Sequence, residues 1–290
     1  MIILCADDYA LTEGVSRAIG ELAAARRLSA TSVIVTSPHW KAAAPRLLVH
    51  RGRLSIGLHL DLTLGPATGP IRLLAPKRRF PGLARLIGLS VLRILDTGEI
   101  AAEISRQLDL FEGALGFPPD HIDGHQHVHA LPVVRQALID VVARRYPVNP
   151  PMLRDPADSL ESIKLRGLSV RKARVVNALA KGFGDAARSR GLPVNLGFSG
   201  FSDFDLERPY GEELRQAFLA PRSPHIVMCH PGHVDADLAA RDPVVERRQM
   251  EYDALMREPD LAQRIWRPSR PSDGAPIAWP QVAKAEAAVA

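Results

Sequence analysis

Two cysteines in 290 residues, Cys5 and Cys229, are too few for a disulfide framework. Each sits in a short apolar run that reads as an inner strand, where a free thiol behaves as a small hydrophobe, so no structural disulfide is expected. No uninterrupted apolar run approaches the ~20 residues of a spanning helix. No basic stretch precedes Met1-Ile2-Ile3-Leu4, so a secretory leader is not expected and the chain reads as cytoplasmic. Aromatic residues make up only 5% of the chain, little for a binding module whose cleft would depend on aromatic platforms. Charge of one sign is not concentrated either. A net charge of +5 favours anionic partners, but 37 basic residues are scattered among 32 acidic ones, and nucleic-acid binding is not expected. The exceptions, Lys77-Arg78-Arg79 and residues 164–174, read as solvated faces. No fixed-period repeat is visible.

What is present, 46% hydrophobic and 24% charged residues, suffices for one large α/β domain. Short runs rich in β-branched residues at 2–5, 30–35, 54–60, 121–123, 194–198 and 226–229 alternate with helical patterns at 13–27, 39–50, 99–115, 132–145, 171–190, 211–219 and 243–256. That alternation predicts βα units around a parallel sheet, open or closed into a barrel, with functional residues at the carboxyl ends of the strands. The domain is expected over 1–266, with an apolar and basic insertion around 66–97 and a proline- and alanine-rich, poorly packed tail over 267–290. Within the insertion, residues 80–95 are apolar almost all the way round a helix. They read as a lid or a homodimer contact in preference to a membrane-surface helix.

Ionisable residues gather where strands should end: Asp7 and Asp8, His59 and Asp61, Asp123 to His129, and His230. In DGHQHVH, His125, His127 and His129 recur at every second position, which on an extended segment sends all three rings to one face; in a helical turn His125 and His129 would pair instead. Either way a metal or catalytic site outweighs simple packing. Imidazole plus carboxylate suits Zn²⁺ or another first-row ion, and a carboxylate with waters suits Mg²⁺. Adjacent aspartates on an extended strand point to opposite sides, so one of the pair would ligate and its neighbour would take a proton. Capping of the next helix falls more naturally to Thr12. His230, before Pro-Gly, suits a general acid.

ADDY at 6–9, GLHLDLT at 57–63, HIDGHQHVH at 121–129, GFS at 197–199 and MCHPG at 228–232 occur in the order in which similar stretches occur in the YdjC-like carbohydrate deacetylases, and the chain resembles that family from residue 1 to about 257. The resemblance implies a distorted TIM-type (β/α) barrel related to the polysaccharide deacetylases, and metal-dependent removal of acetyl from an N-acetylated amino sugar, whether a chito-oligosaccharide, a sugar nucleotide or a lipid-linked aminosugar. It implies that Asp8, His59 and His125 hold one divalent ion, that Asp7 is the base and that His230 is the acid. Arg154 and Tyr210 match positions lining the sugar cleft in similar proteins. His127 and His129 are expected to support the ligands by hydrogen bonds or to touch the sugar. Ala10 departs from the pattern, standing where the family usually has glycine. A metal-dependent phosphoesterase or amidohydrolase would also use Asp and His at strand ends, and a non-catalytic carbohydrate-binding protein is the third reading.

Overall fold

The structure, a computed structural model, describes residues 1–270, Ile277 and Trp279. Seven parallel strands form one sheet: β1 (Ile2–Tyr9), β2 (Ala30–Val33), β3 (Ser55–Leu60), β4 (His121–Gly124), β5 (Met152–Leu153), β6 (Gly197–Ser199) and β7 (His225–Cys229), in the order β5-β4-β3-β2-β1-β7-β6. The sheet curls until its edges meet. Leu153 bridges Val194 in parallel, Leu153 N–H donates to Pro193 O at 2.9 Å, and the Asn195 side chain donates to Asp155 O and Gly197 O. This is the distorted barrel that the alternating pattern and the resemblance imply.

Strand alternation divides the core in two. Leu4, Ala6, Ile56, Leu58, Leu60 and Ile122 face outward, into the main apolar core under the helices. Ile3, Cys5, Met152, Phe198, Ile226 and Met228 fill the barrel interior together with Ile277 and Trp279. The thiols of Cys5 and Cys229 are buried and free. Twelve helices are described: α1 (Glu13–Ala24), α2 (Trp40–Leu48), α3 (Leu83–Val91), α4 (Thr97–Leu115), α5 (Val134–Arg145), α6 (Leu160–Arg166), α7 (Val170–Ala180), α8 (Phe183–Ser189), α9 (Tyr210–Ala217), α10 (Ala236–Arg241), α11 (Glu246–Arg257) and α12 (Leu261–Arg264). Their ends follow local chemistry. Thr12 caps α1 by accepting from Val15 N–H, and Asp96 caps α4 by accepting from Glu99 N–H, while Gly116 closes α4 in the left-handed region. None of the described helices is long and apolar enough to cross a membrane.

Several segments differ from the sequence reading. The helix expected over 171–190 is two, because Gly182 takes φ +82° between α7 and α8. Helices α6, α10 and α12 and the two-residue β5 were not foreseen, being too short for periodicity to reveal. The basic stretch 164–174 is not all solvated: Arg166 is buried and pairs with Asp158 at 2.8 Å. Most of the tail expected over 267–290 lies outside the described residues. Of those described in it, Ile277 and Trp279 are buried, and the Trp279 indole donates to Asp120 O at 2.6 Å.

At Gly57 the barrel leaves no room for a side chain. A Cβ there would stand 2.4 Å from Nε2 of His121, whose ring fills the space above it and whose Nδ1 lies 2.9 Å from Ser55 Oγ. Gly57→Ala is expected to destabilise the fold by about 1–3 kcal/mol through this overpacking, measured as a lowered denaturant midpoint at unchanged m-value.

Candidate metal centre and active site

Strand β1 ends in a bulge. Its pairing with β2 runs Ala6 to Thr31 and then Tyr9 to Val33, so one extra residue is inserted, and Asp8 takes φ +68°. Strict alternation would have sent Asp7 and Asp8 to opposite faces. The bulge turns both carboxylates into the carboxyl-end mouth of the barrel, where both border a cavity of about 710 Å³.

Ligand atoms of Asp8, His59 and His125 lie within 4.8 Å of one another at this mouth. Asp8 Oδ1 is 2.9 Å from His125 Nδ1 and 3.2 Å from His59 Nε2. The other nitrogen of His59, Nδ1, is 2.7 Å from Asp123 Oδ1, the arrangement in which a carboxylate orients a metal-binding imidazole. Burial opposes a charge on His59, but Asp123 and then Asp8 and Asp7 overcome it and raise its pKa to about 10. The same carboxylate field favours a divalent cation between His59 Nε2 and Asp8, whose binding would release that proton. The donor set therefore fits a divalent ion. Two other clusters, Cys5 with His121 and Asp123, and Asp7 with His59 and Asp123, also bring potential ligands together. Both already surround a cation: Arg154 reaches Cys5 Sγ at 3.1 Å, ion-pairs with Asp123 and grips Asp7 through two bonds of 2.6 and 2.7 Å.

Asp8 is compensated from the far end of the chain. Its Oδ2 accepts from Arg248 at 2.6 Å, and Arg248 also holds Asp242. Burial would raise the Asp8 pKa, but Arg248 and His125 outweigh it and hold the carboxyl well below its usual range. His230 borders the same cavity; burial, opposed by Asp8 and reinforced by Arg248, takes its pKa down to about 4. Its backbone N–H donates to Glu251 at 2.5 Å.

The three histidines of the DGHQHVH segment diverge. Residues His125–Ala130 form a 3-10 turn in which Gln126 and His127 take φ of +54° and +61°, neither the extended nor the helical arrangement considered from spacing. His125 turns to Asp8. His127 borders the cavity against Phe198 and Phe201, and its Nδ1 has no hydrogen-bond partner among the described residues. His129 points away, fully buried, and donates through Nε2 to Arg154 O at 2.7 Å. Of the residues expected to touch the sugar or to support the ligands, His129, Arg154 and Tyr210 do not border this cavity. His129 and Arg154 are buried beneath the cavity floor, where Arg154 balances two carboxylates, and Tyr210 is buried at the start of α9 with the Arg247 guanidinium 5.3 Å from its ring centre. Asp61 is a turn-former, accepting from Thr63 and Leu64 N–H. Arg248, Lys172 and Glu251 escaped the sequence reading. Arg248 and Glu251 lie on α11, whose polar sequence carries no sign that one face is buried, and Lys172 falls in the basic stretch read as a solvated face.

A profile of the YdjC-like protein family matches residues 1–265. The chain belongs to the YdjC-like family. Relatives within it include a chitooligosaccharide deacetylase of Salmonella typhi, 28% identical with 92% of this chain and 96% of that one aligned, and one of Enterobacter sp. (strain 638), 28% identical over 81% and 82%. A human carbohydrate deacetylase is 31% identical over 49% of this chain, and the match spans only 45% of the human protein. A crystal structure of an Enterococcus faecalis protein described as a cellobiose-phosphate cleavage protein superposes with a TM-score of 0.68 at 22% identity, covering 91% of this chain and 92% of that one. It supports the YdjC-like fold alone. The position where the family usually carries glycine is held by Ala10 at φ +72°, so here an alanine occupies a left-handed conformation that glycine adopts without strain.

Glu251 is the least compensated acid of the site. Burial raises its pKa from 4.5 to about 7 despite His230 N–H, Arg248 and Arg247. Because the folded pKa is the higher one, the penalty is absent below about 4.5, grows as pH rises toward 7 and is complete above it; 2.5 units correspond to about 3 kcal/mol. Glu251→Gln keeps an acceptor for His230 N–H and removes the charge. Its melting temperature is expected to exceed that of the parent at pH 8, with the gap shrinking toward pH 5.

Proposed function

We propose that this protein is a hydrolase that removes the acetyl group from the nitrogen of an N-acetylated amino sugar, releasing acetate, and that it depends on one divalent ion, Zn²⁺ or Mg²⁺. The observation that carries this reading is the convergence of Asp8, His59 and His125 on one point of a cavity that Asp7 and His230 also border. Relatives named chitooligosaccharide and carbohydrate deacetylases supply the reaction class. Asp8, His59 and His125 would hold the ion. When bound, it supplies Lewis acidity, polarising the acetyl carbonyl and lowering the pKa of a water.

The remaining work falls to the protein. Asp7, its two oxygens gripped by Arg154, is fixed in orientation and takes the proton from the attacking water as the new C–O bond forms. The C–N bond breaks only when the nitrogen receives a proton, and His230 is the proposed donor. With its pKa near 4 the ring is neutral in the resting site, so within the cycle it accepts the proton that Asp7 took from the water and passes it to the leaving nitrogen. The proton that leaves the water thereby ends on the amine, and acetate and free amino sugar depart. His127, with a ring nitrogen unpartnered among the described residues, is placed to meet a hydroxyl or the acetamido group.

Acetate release from N-acetylhexosamine compounds is expected to stop with chelator and return with Zn²⁺ or Mg²⁺. Asp7→Asn is expected to retain the ion, read by titration calorimetry, while turnover falls by about 10²- to 10⁴-fold. His125→Ala is expected to lose both. Full activity in Asp7→Asn would remove that carboxylate from the base role, and activity indifferent to chelation would remove the ion.

A further inference from the structure

Two basic segments far apart in the chain meet at one end of the barrel. Residues 62–95 follow the carboxyl end of β3, and residues 170–184 carry α7; together they hold ten lysines and arginines and none of the chain's 32 aspartates and glutamates. Since the whole chain has 37 basic and 32 acidic residues, the remainder is net negative, and charge that looks scattered along the sequence is segregated in space. Both segments border the cavity mouth: Leu64, Leu83 and Ile87 line it from the first, Arg171, Val175 and Leu179 from the second. All ten basic residues are exposed. Of the ten, only Arg72 is ion-paired among the described residues, with Glu99, and Lys172 donates to Ser202 O at 3.3 Å. On other faces arginines such as Arg188 and Arg190 find Asp185 and Asp140.

Aliphatic side chains stand among these cations. In α3, Leu86 and Ser90 are buried and Leu83 and Ile87 turn to the cavity, which leaves Arg85, Val91 and Leu92 outward. Val91, Leu92 and Ile94 are 51%, 69% and 47% accessible, and Val175 on α7 is 59% accessible. Helix α3 by itself has too narrow a charged face for a membrane surface, which is why its sequence reads first as a lid or a contact between copies. The fold supplies the missing cations from the loop before it and from α7. We propose that this rim docks on an anionic lipid bilayer, with Lys77, Arg78, Arg79 and Arg85 at the headgroups and Val91, Leu92 and Ile94 entering the acyl boundary. A nucleic acid would answer the cations and leave the aliphatic tips in water; the two segments' only aromatic residues, Phe80 and Phe183, are buried and offer bases no platform. A second copy docked face to face would set like charges against each other. The proposal concerns where the mouth sits and does not depend on the reaction performed there.

The test is co-sedimentation of the full chain with vesicles of phosphatidylcholine, alone or mixed with phosphatidylglycerol. Binding to the mixed vesicles is expected to be about tenfold or more tighter than to phosphatidylcholine alone, and to weaken as salt rises. The combined variant Lys77→Glu, Arg78→Glu, Arg79→Glu and the single variant Leu92→Asp are each expected to weaken it by about tenfold or more. Arg257→Glu, 82% exposed and at the far end of α11 from the cavity-lining Arg248, is the control for net charge and is expected to change binding by less than about twofold. Unchanged melting temperatures show that the variants, all at exposed positions, remain folded. No preference for the anionic vesicles, or binding that the rim variants leave intact, would overturn the proposal. In the absence of vesicle binding, duplex DNA bound by the parent and released by the same variants, or a dimer that Leu92→Asp dissociates, would assign the rim to another partner and overturn it as well.

Discussion

Three carboxylates, Asp7, Asp8 and Asp123, lie at most 2% exposed within one barrel mouth, and the rest of the structure is arranged to make that tolerable. An ionised carboxylate taken out of water carries a desolvation penalty of several kcal/mol that only a well-placed cation repays. Here two arginines do so. Arg154 answers Asp7 and Asp123, Arg248 answers Asp8 and Asp242, and His59 completes the set between Asp8 and Asp123. The partners are 147 and 240 residues apart for the Arg154–Asp7 and Arg248–Asp8 pairs, so the charges balance only once the whole barrel has formed. Arg154 follows β5 directly, and its own N–H donates to Ile122 O at 3.0 Å, beside the bridge that brings the two sheet edges together. Closure of the barrel and assembly of the site are one event.

Much of this was legible in the chain, and the exceptions share a cause. The βα alternation, the ionisable groups at strand ends and the pairing of Asp8 with His59 and His125 follow from periodicity and from the family resemblance. Periodicity fails wherever the backbone leaves a regular path. The bulge at Asp8, the left-handed pair Gln126 and His127, and the break at Gly182 each redirect side chains by local dihedral angles that no hydrophobic pattern encodes. Three histidines at alternate positions looked like one face and became three directions. Arg154 and Arg248 were hidden for another reason. A buried arginine is recognisable only by the carboxylate it neutralises, and that carboxylate is far away in the sequence. Arg154 drew notice only through a motif match, and its pairing with Asp7 and Asp123 could not be read from that match.

The residues that line the cavity come from different parts of the fold. The proposed ligands and base sit on strand ends or the turn that follows β4, held by pairings within the sheet and by the charge balance just described. Little can change there without leaving a buried charge unpaired. Leu83 and Ile87 come from α3, in the connection between β3 and β4, and Val175, Val176 and Leu179 from α7, in the connection between β5 and β6, which also contributes Arg171 and Lys172. Such connections are anchored mainly by apolar packing and can alter composition without disturbing the charges below. A family with this plan would keep one chemistry while exchanging the part of the ligand it reads.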